Sequence, residues 1–434
     1  MDDLAKNALP PMVVLRSNDC CFLGIARSCA AAGRPIIPVV FDWAGSGPWY
    51  SEQSDVVEDP VRIPNPYKES AAARDAMIGL GERLLAAWGE RLMIVPSSDT
   101  NLMFLLDHYE ALCPYFRMAG AADFDSARID VVRKDSAALL LAAGGVAIPE
   151  THACLKAGDV ESVARAVSYP CVYKPVAKDY GQTFYATHGG RKAIECQDQD
   201  ELVDRLEQEI DRGFELIVQE KVSFASMEEE IPFYLYADRD HRIRMAATGI
   251  KEKIQPFPYG TATILRLAWH EELLPIAQRV VEALSWRGIL MIEFIRDLKD
   301  GRWKVIEVNA RPWLCVDFYR RSGLNFLDML YRDWRGELAG EPDLIRPDQA
   351  VLESSPVQIS LPAASVPDLD RLDRPVRIDD IVSWLCRVAG RRSLTFLDPR
   401  DPRPGWAELR SLAARYALPA DELIARIEEN LGGD

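Results

Sequence analysis

The stretch Gly288-Ile-Leu-Met-Ile-Glu293-Phe-Ile-Arg296-Asp-Leu-Lys-Asp300-Gly301-Arg-Trp303-Lys-Val-Ile-Glu307-Val-Asn309-Ala-Arg311-Pro-Trp313 decides the fold. Asp300-Gly301 between two apolar runs is a hairpin signal. With the turn centred near Asp300, Glu293 and Glu307 are equidistant from it and face each other across two strands. Asn309 and Arg311 follow Glu307 at the period of two and extend the same face. Two opposed carboxylates among apolar neighbours repel each other and resist burial unless something positive sits between them. Two carboxylates and an amide oxygen are a hard donor set that suits Mg²⁺, with Arg311 beyond them able to grip a phosphate or carboxylate through paired N–H groups. One acid in a strand is more often a solvated side chain, but four polar groups at this spacing are not.

Upstream of the hairpin, an amphipathic helix over 271–284 and strands over 233–237 and 243–248 point to an α+β unit. Before it come a helix over 129–143 ending at Gly144-Gly145, a helix over 159–167, a strand over 171–174, a helix over 200–212 and a strand over 216–219. The N-terminal part reads differently. Strands at 12–16, 35–42 and 92–96 alternate with helices at 22–32, 71–88 and 101–110, the pattern of a parallel sheet covered on both faces. Ligands collect beyond the C-terminal ends of such strands, where Asn18-Asp19 and Ser97-Ser98-Asp99 lie; Asp99 reads equally as a helix N-cap or a substrate contact. From about Glu341 the chain is rich in Pro, Asp and Arg, with helices expected at 378–388, 405–416 and 420–430.

A length of 434 residues suits about three domains. The formal net charge of -16 opposes nonspecific binding to nucleic acid or anionic membranes, so any polyanion needs a local site. Nine dispersed cysteines without a Cys-x-x-Cys read as reduced thiols, and none is expected to be catalytic. No apolar run is long enough to span a bilayer, and Met1-Asp2-Asp3-Leu4 lacks a signal-peptide pattern, so a cytoplasmic protein is expected.

Three further stretches bear on chemistry. Lys174 closes the strand Cys171-Val172-Tyr173, where an anion partner would explain a lysine. The loop Lys178-Asp179-Tyr180-Gly181-Gln182-Thr183 can place backbone N–H groups around phosphate oxygens. Leu216 to Val222 is an apolar strand entering a polar pair, suited to an adenine edge, and Glu228 or Glu229 just beyond is suited to ribose hydroxyls.

In their order these elements resemble the ATP-grasp superfamily, specifically its bacterial carboxylate-amine ligases, over most of residues 12 to 335. The resemblance rests on Ser98-Asp99, the Arg133-Lys134 helix before Val146-Ala147-Ile148-Pro149, Tyr173-Lys174-Pro175 and Val218-Gln219-Glu220. It continues through Gly249-Ile250-Lys251-Glu252-Lys253 before Pro258-Tyr259-Gly260, and its specific part is the Glu293 to Arg311 hairpin. It implies a parallel-sheet pre-ATP-grasp domain at 1–125, an ATP-grasp domain at 126–340 and a small, mostly helical C-terminal region at 341–434. Nucleotide would lie between two α+β subdomains, the lid spanning about 150–225. Lys134 and Lys174 would contact ATP phosphates, with the loop through Gln182 over them. Gln219, Glu220, Lys221 and Val222 would line the adenine site and Glu228 or Glu229 would bind ribose. Glu293, Glu307 and Asn309 would hold Mg²⁺ or Mn²⁺, and Arg311 would steady the transferred phosphoryl group. Lys251 or Lys253 is a further phosphate contact, Lys253 being counted with Arg311 and Lys174 as catalytic. One departure is the loop Ala177 to Gln182, which has fewer small residues than is usual in the family.

The function implied is ATP-dependent joining of a small carboxylic acid to an amine or amino acid through an acyl phosphate, releasing ADP and phosphate. The alternatives are a small-molecule kinase on the same nucleotide site and a non-catalytic nucleotide-binding module. No nucleic-acid or membrane partner is expected, and a homodimer is the assembly considered.

Overall fold

The computed structural model describes residues 9–42, 49–120, 123–124, 128–177, 183–338 and 344–431. Strands β1 (Met12–Arg16), β2 (Ile36–Phe41), β3 (Val61–Ile63), β4 (Leu92–Pro96) and β5 (Phe116–Arg117) form a parallel sheet in the order β3-β2-β1-β4-β5. Every residue of β1 is buried, as a strand covered on both faces requires. The order reverses at β1, so the turns after β1 and β4 lie side by side and open a crevice. The Ser97 hydroxyl oxygen accepts from the amides of Ser17 (3.2 Å) and Asn18 (3.4 Å), and the Ser17 and Ser98 hydroxyls share a hydrogen bond. Asn18 and Ser98 cap the helices Asp19–Ala31 and Asp99–Asp107, which leaves Asp99 free of the capping role.

A small antiparallel sheet follows, β6 (Thr151–Cys154), β7 (Cys171–Pro175), β8 (Ile194–Cys196) and β9 (Leu216–Glu220), in the order β6-β9-β7-β8. The helices Val160–Ala166 and Gln199–Asp211 cover one face with Val163, Leu202 and Leu206. The central sheet contains β10 (Glu230–Ala237), β11 (Ile243–Gln255), β12 (Thr261–Ala268), β13 (Gly288–Arg296) and β14 (Trp303–Asn309). The helix Leu274–Leu284 buries Ala277, Val280, Val281 and Leu284, one stripe at helical spacing, in the same core as Ile231, Phe233 and Leu235. That leaves the opposite face of β10, β13 and β14 for chemistry.

The C-terminal region is not merely helical. Its β15 (Pro356–Ile359) pairs with β12, and β16 (Arg391–Leu394) adds in parallel to β15, so the central sheet runs β14-β13-β10-β11-β12-β15-β16. Four buried residues in a polar tail gave no periodic signal for that strand. The buried Arg27–Asp401 pair, 2.9 Å, ties the region to the N-terminal helix. Among the described residues no helix is long and apolar enough to cross a membrane.

Glu408 sits in the helix Arg403–Arg415, 2% exposed, and its Oε2 makes no hydrogen bond among the described residues. Burial, reinforced by Asp19, raises its pKa from 4.5 to about 8. The folded state therefore binds this proton more tightly than the unfolded chain. The stability it lends is complete below pH 4.5 and is lost as pH rises through about 8. Thermal melting of Glu408→Gln is expected to match wild type at pH 5 and to exceed it at pH 9. A wild-type advantage at pH 9 would show that the carboxylate is tolerated there.

Candidate active site

β13 and β14 pair so that Glu293 lies directly opposite Glu307 and Met291 opposite Asn309. Glu293 and Asn309 are 8% and 6% exposed. The Lys251 ammonium, reaching across from β11, holds Glu293 at 3.0 Å and Glu230 at 2.5 Å. Burial works against that charge, but the two carboxylates raise the Lys251 pKa above its ordinary value. On the other flank, Lys134 stands at the first turn of the helix Lys134–Ala143. Its Nζ donates to the Pro175 carbonyl (3.2 Å) and lies 3.8 Å from Glu307. Lys174, on β7, donates to the Ile306 carbonyl at 2.9 Å. Burial depresses both lysines, with Glu307 opposing the shift. Partly desolvated cations with few fixed partners are suited to an incoming polyanion.

Two cavities meet at the glutamate pair. One, about 370 Å³, lies between the β7/β9 sheet and the central sheet, with Lys134, Lys174 and Glu230 among its lining residues. Its apolar part is formed by Val222, Phe224, Met227, Ile254 and Ile295. The other, about 350 Å³, opens toward the N-terminal crevice and is lined by Asn18, Ser98, Asp99, Arg311 and Trp313. Glu293, Glu307, Tyr185 and Lys192 line both.

The L-amino acid ligase from Bacillus licheniformis superposes with a TM-score of 0.54 at 20% identity, over 78% of this chain and 77% of that one. A biotin carboxylase from Campylobacter jejuni, in a complex with β,γ-ATP, superposes with a TM-score of 0.55 at 15% identity, over 76% and 71%. The chain has the ATP-grasp fold. By sequence, 100 residues are 25% identical to a D-aspartate ligase of Enterococcus faecium (strain Aus0004). That match spans 23% of this chain and 24% of the relative's length. No protein-family model matches.

Within the ATP-grasp fold, several expected site residues take other places. Lys253 lies outside both cavities. Its Nζ donates to Asp368 (2.6 Å) and the Ala364 carbonyl (2.7 Å), and stands over the Trp384 ring. Register explains this: Lys251 pairs with Leu265 and Lys253 with Ile264, so a bulge at Glu252 breaks the alternation that would have put both lysines on one face. Glu228 is exposed on a 3₁₀ turn capped by Ser226, and the Glu229 carboxylate accepts from the Ala225 amide (2.7 Å). The acid lining the cavity is the next one, Glu230 at the start of β10.

Gln219, Glu220, Lys221 and Val222 all line the cavity between the β7/β9 sheet and the central sheet, but not as a row of available amides. The Glu220 amide donates to Glu150 and the Lys221 amide to Pro170. The side chains are engaged too: Gln219 with Thr151 (2.8 Å), Glu220 with Lys304 (2.7 Å), Lys221 with Glu195 (2.7 Å). Gln182 and the loop 178–182 lie outside the described residues.

Arg311 is gripped by Asp99 through Nε (2.8 Å) and Nη2 (2.6 Å), which raises its pKa against the opposing effect of burial. Nη1 donates to the Pro312 carbonyl (2.8 Å) and Nη2 also reaches Asn309 (3.4 Å). Four of its five N–H groups are thus engaged among the described residues, so Arg311 can offer at most one donor to the cavity rather than the fork expected from sequence.

Proposed function

We propose that this chain is an ATP-dependent carboxylate–amine ligase working through an acyl phosphate. The observation that carries this is the meeting of two cavities at Glu293 and Glu307, one with buried lysines and an apolar slot, the other opening on the N-terminal crevice. A phosphoryl donor and a carboxylate can then be held on opposite sides of one charged junction. Lys134 and Lys174 bind the phosphate chain. The apolar slot takes the base, and Glu230 stands where a ribose hydroxyl needs an acceptor. The amine enters by the crevice after Asn18 and Ser98. Arg311, held rigid by Asp99, donates its remaining N–H to an oxygen of the reacting carboxyl group.

The two opposed carboxylates and the Asn309 amide are hard oxygen donors on neighbouring strands and fit Mg²⁺. Bound there, Mg²⁺ would offset the charge on the phosphate oxygens. The chemical logic is that a carboxylate is a poor electrophile with a poor leaving group, and phosphorylation changes both. No nucleophilic side chain is needed, in keeping with nine unpaired thiols of which none is required. The ATP complex of the biotin carboxylase and the amino-acid substrates named for the two ligases support the nucleotide and point to an amino acid as one reactant.

The test is a screen of acid and amine pairs, with amino acids first, for ADP and phosphate released in equal amounts, followed by the mass of the product. γ-Phosphoryl transfer requires those two products. Stoichiometric AMP would overturn the acyl-phosphate route. A stable phosphorylated product formed without any amine would assign a kinase instead.

A further inference from the structure

Lys192 is a further lysine at the junction, beside Lys134, Lys174 and Lys251, and no sequence pattern singles it out. It lies half-buried just before β8, in the segment that follows the helix Thr183–Thr187. Its backbone N–H donates to the Tyr259 carbonyl (3.0 Å), and the Tyr259 hydroxyl donates to Glu195 (3.1 Å). The tip between β11 and β12 therefore fixes this segment against the central sheet. Lys134 and Lys174 line the nucleotide-side cavity but not the substrate-side one, whereas Lys192 lines both. Its charge is felt by both Lys134 and Lys174, adding to the burial that depresses them.

We propose that Lys192 is a catalytic residue that binds the γ-phosphoryl group of ATP and stays with it during transfer to the carboxylate. This rests on the ligase reading above. In the step concerned, a carboxylate oxygen forms a bond to the γ-phosphorus as the bond from that phosphorus to the β,γ-bridging oxygen breaks. The electron pair leaves on the β-phosphate of ADP, and no proton moves. Charge on the travelling phosphoryl oxygens passes from the first cavity to the second, so a cation reaching both stabilises the transition state as well as bound ATP. A lysine confined to the nucleotide cavity holds the part of the chain that ADP keeps.

The experiment is calorimetric binding of ATP and of ADP, each with Mg²⁺, to wild type, Lys192→Met and Lys192→Arg, beside thermal melts. Loss of one charge-assisted contact is expected to weaken ATP by about 10-fold or more in Lys192→Met while ADP stays within about twofold. Lys192→Arg should recover most of the ATP affinity, and the melting midpoints should agree. Equal losses for ATP and ADP, or none for either, would overturn the γ-phosphoryl assignment and leave the ligase reading standing. Wild-type protein that binds neither nucleotide would overturn both.

Discussion

Glu307→Gln and Glu293→Gln are each expected to reduce ADP formation by roughly 10³-fold with the fold intact. The estimate takes about 4 kcal/mol for loss of a charged oxygen ligand at a site where phosphoryl charge must be offset. Glutamine keeps the shape and an oxygen but loses the charge. The two variants should differ in their side effects. Glu293 shares Lys251 with Glu230, so Glu293→Gln leaves that ammonium a carboxylate partner at 2.5 Å. Glu307 is the acid nearest Lys134, and its loss leaves Lys134 and Lys174 without their largest stabilising charge. Glu307→Gln should therefore also weaken nucleotide binding, whereas Glu293→Gln should act on turnover. Rates measured against Mg²⁺ concentration check this. Near-normal turnover at low Mg²⁺ in either variant would remove the metal assignment.

How much of this was legible before the structure depends on what each residue's position required. The Glu293–Glu307 opposition follows from Asp300-Gly301 and the period of two, and it survives even though the register shifts by one residue between the Glu293–Glu307 and Phe294–Val305 pairs. The same period-two reasoning fails at Lys251 and Lys253. A bulge is one extra residue with no reliable sequence mark, and here it takes Lys253 off the face that Lys251 occupies. Glu230 was hidden within a run of three acids, because where a 3₁₀ turn ends and a strand begins is decided by pairing with β13, not by composition. Lys192 reaches the junction through a backbone bond to Tyr259, a contact between segments 67 residues apart. The crevice after β1 and β4 was legible as a strand-end site. That Ser98 takes the cap and Asp99 the guanidinium was not, since both are good capping residues.

Lys174→Ala and Arg311→Ala are expected to fail differently, because the two cations serve different cavities. Lys174 contacts the nucleotide-side cavity alone among the two, so its loss should raise the KM for ATP and lower kcat together. Arg311 lines the substrate-side cavity and presents one N–H there. Its loss should lower kcat by about 10²-fold, the effect of removing one transition-state donor, with ATP affinity nearly unchanged. The ion pair complicates a single substitution. Arg311→Ala removes the guanidinium that grips the largely buried Asp99 carboxylate, and breaking such a pair from one side costs on the order of 3–5 kcal/mol of stability. The double variant Asp99→Asn with Arg311→Ala removes both charges and should recover much of that stability while keeping the kcat defect. Calorimetric ATP binding, steady-state rates and melting curves on the four proteins separate these effects. If Arg311→Ala loses ATP as severely as Lys174→Ala does, Arg311 belongs to the nucleotide site. If the double variant regains activity along with stability, the guanidinium serves only to neutralise Asp99 and touches no substrate.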